Sequence, residues 1–131
     1  MNSDYKDKRI QKNSQLSSFR LAFLGICSAV KKERNLRIHF CLMAIVVILG
    51  YVCHISLHEW MFILIAIGLV ISMELMNTAL ERVVDLVTEE YHPLAKQAKD
   101  IAAGAVLFAA IIALLIGIII ILPKLLDLYF Y

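Results

Sequence analysis

Glu74-Leu75-Met76-Asn77-Thr78-Ala79-Leu80-Glu81-Arg82-Val83-Val84-Asp85 follows an apolar run, Trp60 to Met73, that holds no charged residue. At 100° per residue, with Glu74 as zero, Asn77, Glu81 and Asp85 fall at roughly 300°, 340° and 20°. Three carboxylates and an amide thus form one stripe about 16 Å long on a helix leaving an apolar medium. Leu75, Met76, Leu80, Val83 and Val84 occupy the other face. A carboxylate at the edge of a membrane is costly to bury and marks a functional site. Three on one face call for cations.

The composition sets the medium. The chain has 131 residues and is 61% hydrophobic, with a mean hydropathy of +0.79, too apolar for a soluble domain of this size. The apolar residues come in long blocks, which predicts an all-α membrane protein with spans over about 38–54, 57–76 and 101–122. The net charge of +2 is small but uneven. Lys6, Lys8, Arg9, Lys12, Arg20, Lys31, Lys32, Arg34 and Arg37 precede the first block. Arg82, Lys96 and Lys99 lie between the second and third, and the loop joining the first two has no base. The positive-inside rule then places the N-terminus in the cytoplasm and the C-terminus outside. The bases serve as membrane anchors, and no nucleic-acid partner is expected. Cys27, Cys41 and Cys53 read as small apolar fillers, because no Cys-x-x-Cys occurs and the last two are about 18 Å apart along one helix. The first 20 residues lack the apolar segment of a cleavable signal peptide.

Residues 1–13 read as a charged tail. From Ser14 to Lys32, Leu16, Phe19, Phe23, Ile26, Cys27 and Val30 recur at steps of three and four, the pattern of an amphipathic helix lying on the cytoplasmic membrane face. Lys31 to Arg37 is a basic girdle in which Glu33 is the odd residue. His54 and His58 bracket a short outer loop and can share a metal only if the helix runs unbroken between them. Trp60 reads as an interface anchor. The second helix is expected to continue to about Thr88, and Pro93 to open the next. His92, Lys96 and Lys99 then share one basic face, with Asp100 beside it. Ala98, Ala102, Ala105, Ala109 and Ala113, with Gly104 and Gly117, form a small-residue ridge suited to helix packing. Pro123 is expected to end the third span.

The cytoplasmic edge therefore collects Glu33, Glu74, Asn77, Glu81, Asp85, Glu90, His92, Lys96, Lys99 and Asp100. Carboxylates at i,i+4 can hold a divalent cation such as Mg²⁺, lysines can neutralise phosphate oxygens, and a boundary carboxylate can take a proton from a membrane hydroxyl. There is no Walker loop and no Gly-x-Gly-x-x-Gly. A phosphoryl-transfer site, a proton or cation pathway, and a bundle held by buried ion pairs all use these residue types. Three spans leave such a site open on one side, so an oligomer is expected.

Glu74-x-x-Asn77-Thr78-Ala79-x-Glu81-x-x-Val84-Asp85, followed by Tyr91-His92 and Ala98-Lys99-Asp100, closely resembles the signature of the prokaryotic diacylglycerol kinase family. The similarity runs from about Phe19 to Leu122. His92-Pro93-Leu94-Ala95-Lys96 and Ala102-Ala103-Gly104-Ala105-Val106 look like the Gram-positive branch, whose members act as undecaprenol kinases. The resemblance implies a single lipid-kinase domain, a homotrimer of three-span subunits with a surface helix, and active sites shared between neighbouring chains. It implies transfer of phosphate from ATP to a membrane alcohol with Mg²⁺. By the same resemblance Glu74 is the general base facing the lipid substrate, and Glu33 and Glu81 bind the metal and, with it, the nucleotide. Asn77 and Asp85 support the site, and Glu90, Tyr91, His92, Lys99 and Asp100 contact the nucleotide. Undecaprenol is the expected acceptor, with diacylglycerol the alternative.

Two positions depart from the diacylglycerol kinase branch. His39 stands where that branch has an acid, and Ser14 falls near its ATP-touching arginine. Neither inherits a role, and both differences favour another acceptor.

Overall fold

The computed structural model describes residues 15–130, which are all helix and short turns. The order is α1 (Gln15–Lys32), α2 (Arg34–Val52), α3 (Leu57–Val87) and α4 (Pro93–Phe130). Three of these, α2, α3 and α4, are long and apolar enough to cross a membrane. With 31 residues, α3 is about 46 Å long and carries the apolar run and the acidic stripe on one rod. Ser14, and with it the start of the expected surface helix, lies outside the described residues.

Each boundary has a local cause. Glu33 breaks α1 from α2 with an extended backbone (φ −93°, ψ 119°), and its carboxylate does not cap the helix it precedes. Leu36, fully buried, fixes that corner. The sequence predicts a first span over 38–54, but α2 stops at Val52. His54 adopts φ 47°, and the amides of His54 and Ile55 reach back to Tyr51 O and Gly50 O, both at 3.2 Å. That reciprocal pair ends a helix through a left-handed residue. It also breaks the register between His54 and His58. Ser56 then starts α3 with a capping box: Glu59 N donates to Ser56 Oγ at 3.3 Å, and Ser56 N donates to Glu59 Oε2 at 2.6 Å.

At its other end α3 runs as far as Val87, with Thr88 as its cap. Pro93 opens α4 as expected. The Leu94 amide, one of the helix's free donors, gives its hydrogen to His92 Nδ1 at 3.3 Å. Pro123, by contrast, does not end α4, which continues to Phe130. Proline removes one N–H from the ladder. The turn beyond it is held to α3 by Lys124 and Glu59, 3.2 Å apart, and by Leu125 packed on the core. Interior prolines are tolerated in long apolar helices when neighbours fix the segment.

Packing is strongest between the antiparallel α3 and α4. The buried seam of α3 is Ile63, Ala66, Val70, Glu74 and Thr78, a three- and four-residue rhythm. At the Trp60 end, Cys53, Ile55, Ile63, Ile120 and Ile121 form a cluster of buried apolar residues. The small-residue ridge is used in part: Ala109 is buried and Ala105 exposed, while a side chain at Gly104 or Gly117 would meet nothing.

Gly50 is where the two ends of the turn touch. A methyl group there would lie 2.7 Å from Trp60 Cη2 and 3.0 Å from Ile55 Cδ1, and the Trp60 ring is already packed on Tyr51 (centroids 5.2 Å apart). Gly50→Ala should therefore destabilise the detergent-solubilised protein by about 1–3 kcal/mol through overpacking. A lowered thermal midpoint, restored in Gly50→Ala/Trp60→Leu, checks it. An unchanged midpoint would mean the ring moves aside freely.

Candidate active site

In the signature segment Glu74 and Thr78 lie in the buried seam of α3, Asn77 and Glu81 are half-buried, and Asp85 is exposed. Glu74 is 3% exposed and Thr78 4%. A buried carboxylate normally requires donors or a cation, yet Glu74 makes no hydrogen bond or ion pair with any described residue. Its electrostatic neighbours are His39 on α2, Glu81 one full turn pair further along α3, and Glu33 at the α1–α2 break. Three separate parts of the chain thus converge on it.

Asn77 Nδ2 donates to Glu81 Oε1 at 3.1 Å, which uses the i,i+4 spacing the stripe requires. The bond turns the amide oxygen away, and Asn77 Oδ1 is buried with no partner. An orphaned buried acceptor beside a carboxylate is a place for an added cation or donor. Oxygen donors from Glu33, Glu81 and Asn77 suit a hard divalent ion. Among the described residues no three His, Cys, Asp or Glu side chains form a complete metal cage. An ion held there draws ligands from phosphate and water, the usual mode for Mg²⁺.

The basic face of α4 is less free than the sequence suggests. Lys99 Nζ donates to Asp85 Oδ1 at 2.6 Å, tying α4 to α3 beside the acid cluster. Lys99 lies before the apolar segment 101–122. The hydrogen bond to Asp85 holds its ammonium above the ordinary lysine range, and Glu81 adds to the effect. Lys96 Nζ donates to Asp100 Oδ2 at 2.5 Å within α4. Asp100 is thereby engaged with Lys96. Glu33 pairs with Arg82 Nη2 at 3.6 Å, so the acid in the basic girdle finds its cation on another helix.

Glu90, Tyr91 and His92 occupy the α3–α4 turn. Thr88 Oγ1 accepts from the Glu90 amide at 3.2 Å and donates to the Glu90 carbonyl at 3.1 Å, which presents Tyr91 to solvent. No hydrogen bond among the described residues joins these three to the Glu74 group. Sequence reasoning gave no role to Arg82, Thr78 or His39. Arg82 is the one base among the stripe's acids. Thr78 falls at roughly 40° on the same helical wheel and belongs to the stripe. His39 stands out in the sequence only as a departure from the diacylglycerol kinase branch, and its place beside Glu74 depends on which helix faces it.

The sequence profile described as Prokaryotic diacylglycerol kinase matches residues 20–121. The undecaprenol kinase of Bacillus subtilis (strain 168) is 47% identical over 122 residues, covering 93% of this chain and 99% of that protein. A diacylglycerol kinase of Synechocystis is 46% identical over 114 residues, 86% of this chain and 65% of that protein. The diacylglycerol kinase of Escherichia coli (strain K12) is 44% identical over 50 residues, 38% of this chain and 41% of that protein. Matched from residue 20 to 121 and nearly half identical to a relative along almost its whole length, the chain belongs to the prokaryotic diacylglycerol kinase family.

Proposed function

We propose that this protein is a lipid kinase that transfers the γ-phosphoryl group of ATP to undecaprenol, giving undecaprenyl phosphate for the recycling of the cell-wall carrier lipid. The observation that carries the reading is Glu74, a buried and unpartnered carboxylate where apolar helix gives way to an acid cluster. The similarity to the Bacillus subtilis undecaprenol kinase over nearly both whole chains supports the choice of acceptor.

Glu74 accepts the proton of the lipid hydroxyl as that oxygen bonds to the γ-phosphorus. The bond from phosphorus to the bridging oxygen of ADP breaks, and ADP leaves. Little covalent machinery is needed, because positioning and charge neutralisation carry most of phosphoryl transfer. Glu33 and Glu81 would hold Mg²⁺, with Asn77 Oδ1 free to join them. When bound, Mg²⁺ supplies neutralisation of the phosphate charge. Lys99, released from Asp85, pairs with a phosphate oxygen, and Glu90, Tyr91, His92 and Asp100 border the nucleotide. Before nucleotide binds, Asp85 holds Lys99 close to the site, and Asn77 orients Glu81. The N-terminus and the α3–α4 turn face the cytoplasm, where ATP is, and the C-terminus lies outside. Helix α1, with Leu16, Phe19 and Phe23 exposed, lies on the membrane surface. Three copies complete shared sites.

The test is transfer from labelled ATP in mixed micelles, with undecaprenol and diacylglycerol at matched mole fraction. Preferential labelling of undecaprenol is expected. Preference for diacylglycerol would make the protein a diacylglycerol kinase, and no transfer, with ion flux in liposomes, would make it an ion pathway.

Glu74→Gln keeps shape and removes the base. It should lower kcat on the order of 10²–10⁴-fold while leaving the gel-filtration profile unchanged. Normal turnover would remove Glu74 from the chemistry.

Glu81→Gln retains the acceptor for Asn77 and loses the charge. The Mg²⁺ concentration for half-maximal rate should rise about tenfold or more. A normal Mg²⁺ curve would count against Glu81 as a ligand.

A further inference from the structure

Helices α2, α3 and α4 enclose an apolar groove of about 400 Å³. Its α4 wall runs from Ala110 to Leu125, about 22 Å along the helix axis. Its floor includes Ile63, Ala66 and Val70 of the α3 seam, and the next member of that seam is Glu74. The wall holds a single polar side chain, His39. This imidazole makes no hydrogen bond with any described residue and lies within electrostatic reach of Glu74.

We propose that His39 binds and selects the acceptor: its ring N–H donates to the hydroxyl oxygen of a single-chain, ester-free membrane alcohol whose tail lies in this groove. The inference rests on the lipid-kinase reading and names the residue that reads the acceptor. The hydroxyl hydrogen points to Glu74 and one oxygen lone pair receives the His39 N–H. The second lone pair remains for the phosphorus. Chemistry sets the selectivity. Apart from His39, the groove has no side-chain donor or acceptor. The two ester carbonyls of a diacylglycerol would therefore be buried unpaired, which is costly. A polyprenyl chain brings no polar atom besides its hydroxyl. A groove lined by Ala110, Ala113 and Gly117 on one side and Ile and Val on the other is shaped for hydrocarbon.

The test compares wild type, His39→Leu and His39→Gln in micelles, with undecaprenol, dioleoylglycerol and MgATP each varied. His39→Leu should lower kcat/KM for undecaprenol roughly tenfold or more, about the worth of one hydrogen bond to a buried group. KM for MgATP should stay unchanged, and the preference over dioleoylglycerol should shrink. His39→Gln restores an N–H donor and should recover most of the loss. An unchanged preference in His39→Leu, or an equal loss with both lipids, would overturn the role of His39. Wild type that phosphorylates no lipid alcohol would overturn the kinase reading itself. A diazirine-bearing farnesol should label α4 peptides between residues 110 and 125, with undecaprenol competing. Labelling elsewhere, with Ala113→Cys chains cross-linking to one another under oxidant, would mean that a second copy fills the groove, and would also overturn the proposal.

Discussion

Burial of the Glu74 carboxylate is the constraint from which the polar half of this molecule follows. A carboxylate removed from water must find a cation, a donor or a proton. At its own seam α3 flanks Glu74 with Val70 and Thr78, and the Thr78 hydroxyl makes no hydrogen bond to it. Compensation has to come from other segments. From α2 comes His39, whereas Glu33 at the α1–α2 break is a like charge whose own cation is Arg82 of α3. The extended backbone at Glu33 and the full burial of Leu36 beside it set that geometry. A continuous helix through residue 33 would carry the acid away from α3.

Much of this is legible in the residues. The spacing of Glu74, Asn77, Glu81 and Asp85 fixes a stripe before any coordinates, and Asn77 and Glu81 meet as i,i+4 partners should. Thr88 and Pro93 act as the boundaries their chemistry suggests. What stays hidden is set by contacts between helices. Pro123 reads as a stop because proline lacks an amide hydrogen, and only the Lys124–Glu59 pair and the packing of Leu125 keep the helix going. Lys99 reads as a free cation until α3 is laid against α4 and Asp85 meets it. His39 departs from the diacylglycerol kinase branch, yet its neighbours on α2 say nothing about the groove across from it.

The two ends of the molecule are stabilised differently, and the difference serves the site. At the Trp60 end, a capping box, a reciprocal helix stop and a cluster of buried isoleucines lock α2, α3 and α4 together. Burial of such side chains is worth about 1.5–3 kcal/mol each. At the Glu74 end the links between elements include the pairs Lys99–Asp85 and Arg82–Glu33, all of whose partners are substantially exposed. Exposed pairs of this kind contribute about 0–1 kcal/mol. Under the proposed kinase reading, a phosphate oxygen would take Lys99 from Asp85 and a divalent cation would take Glu33 from Arg82, at little cost to the fold. The apolar end holds the helices in place, so the polar end is free to exchange its internal partners for those of a substrate.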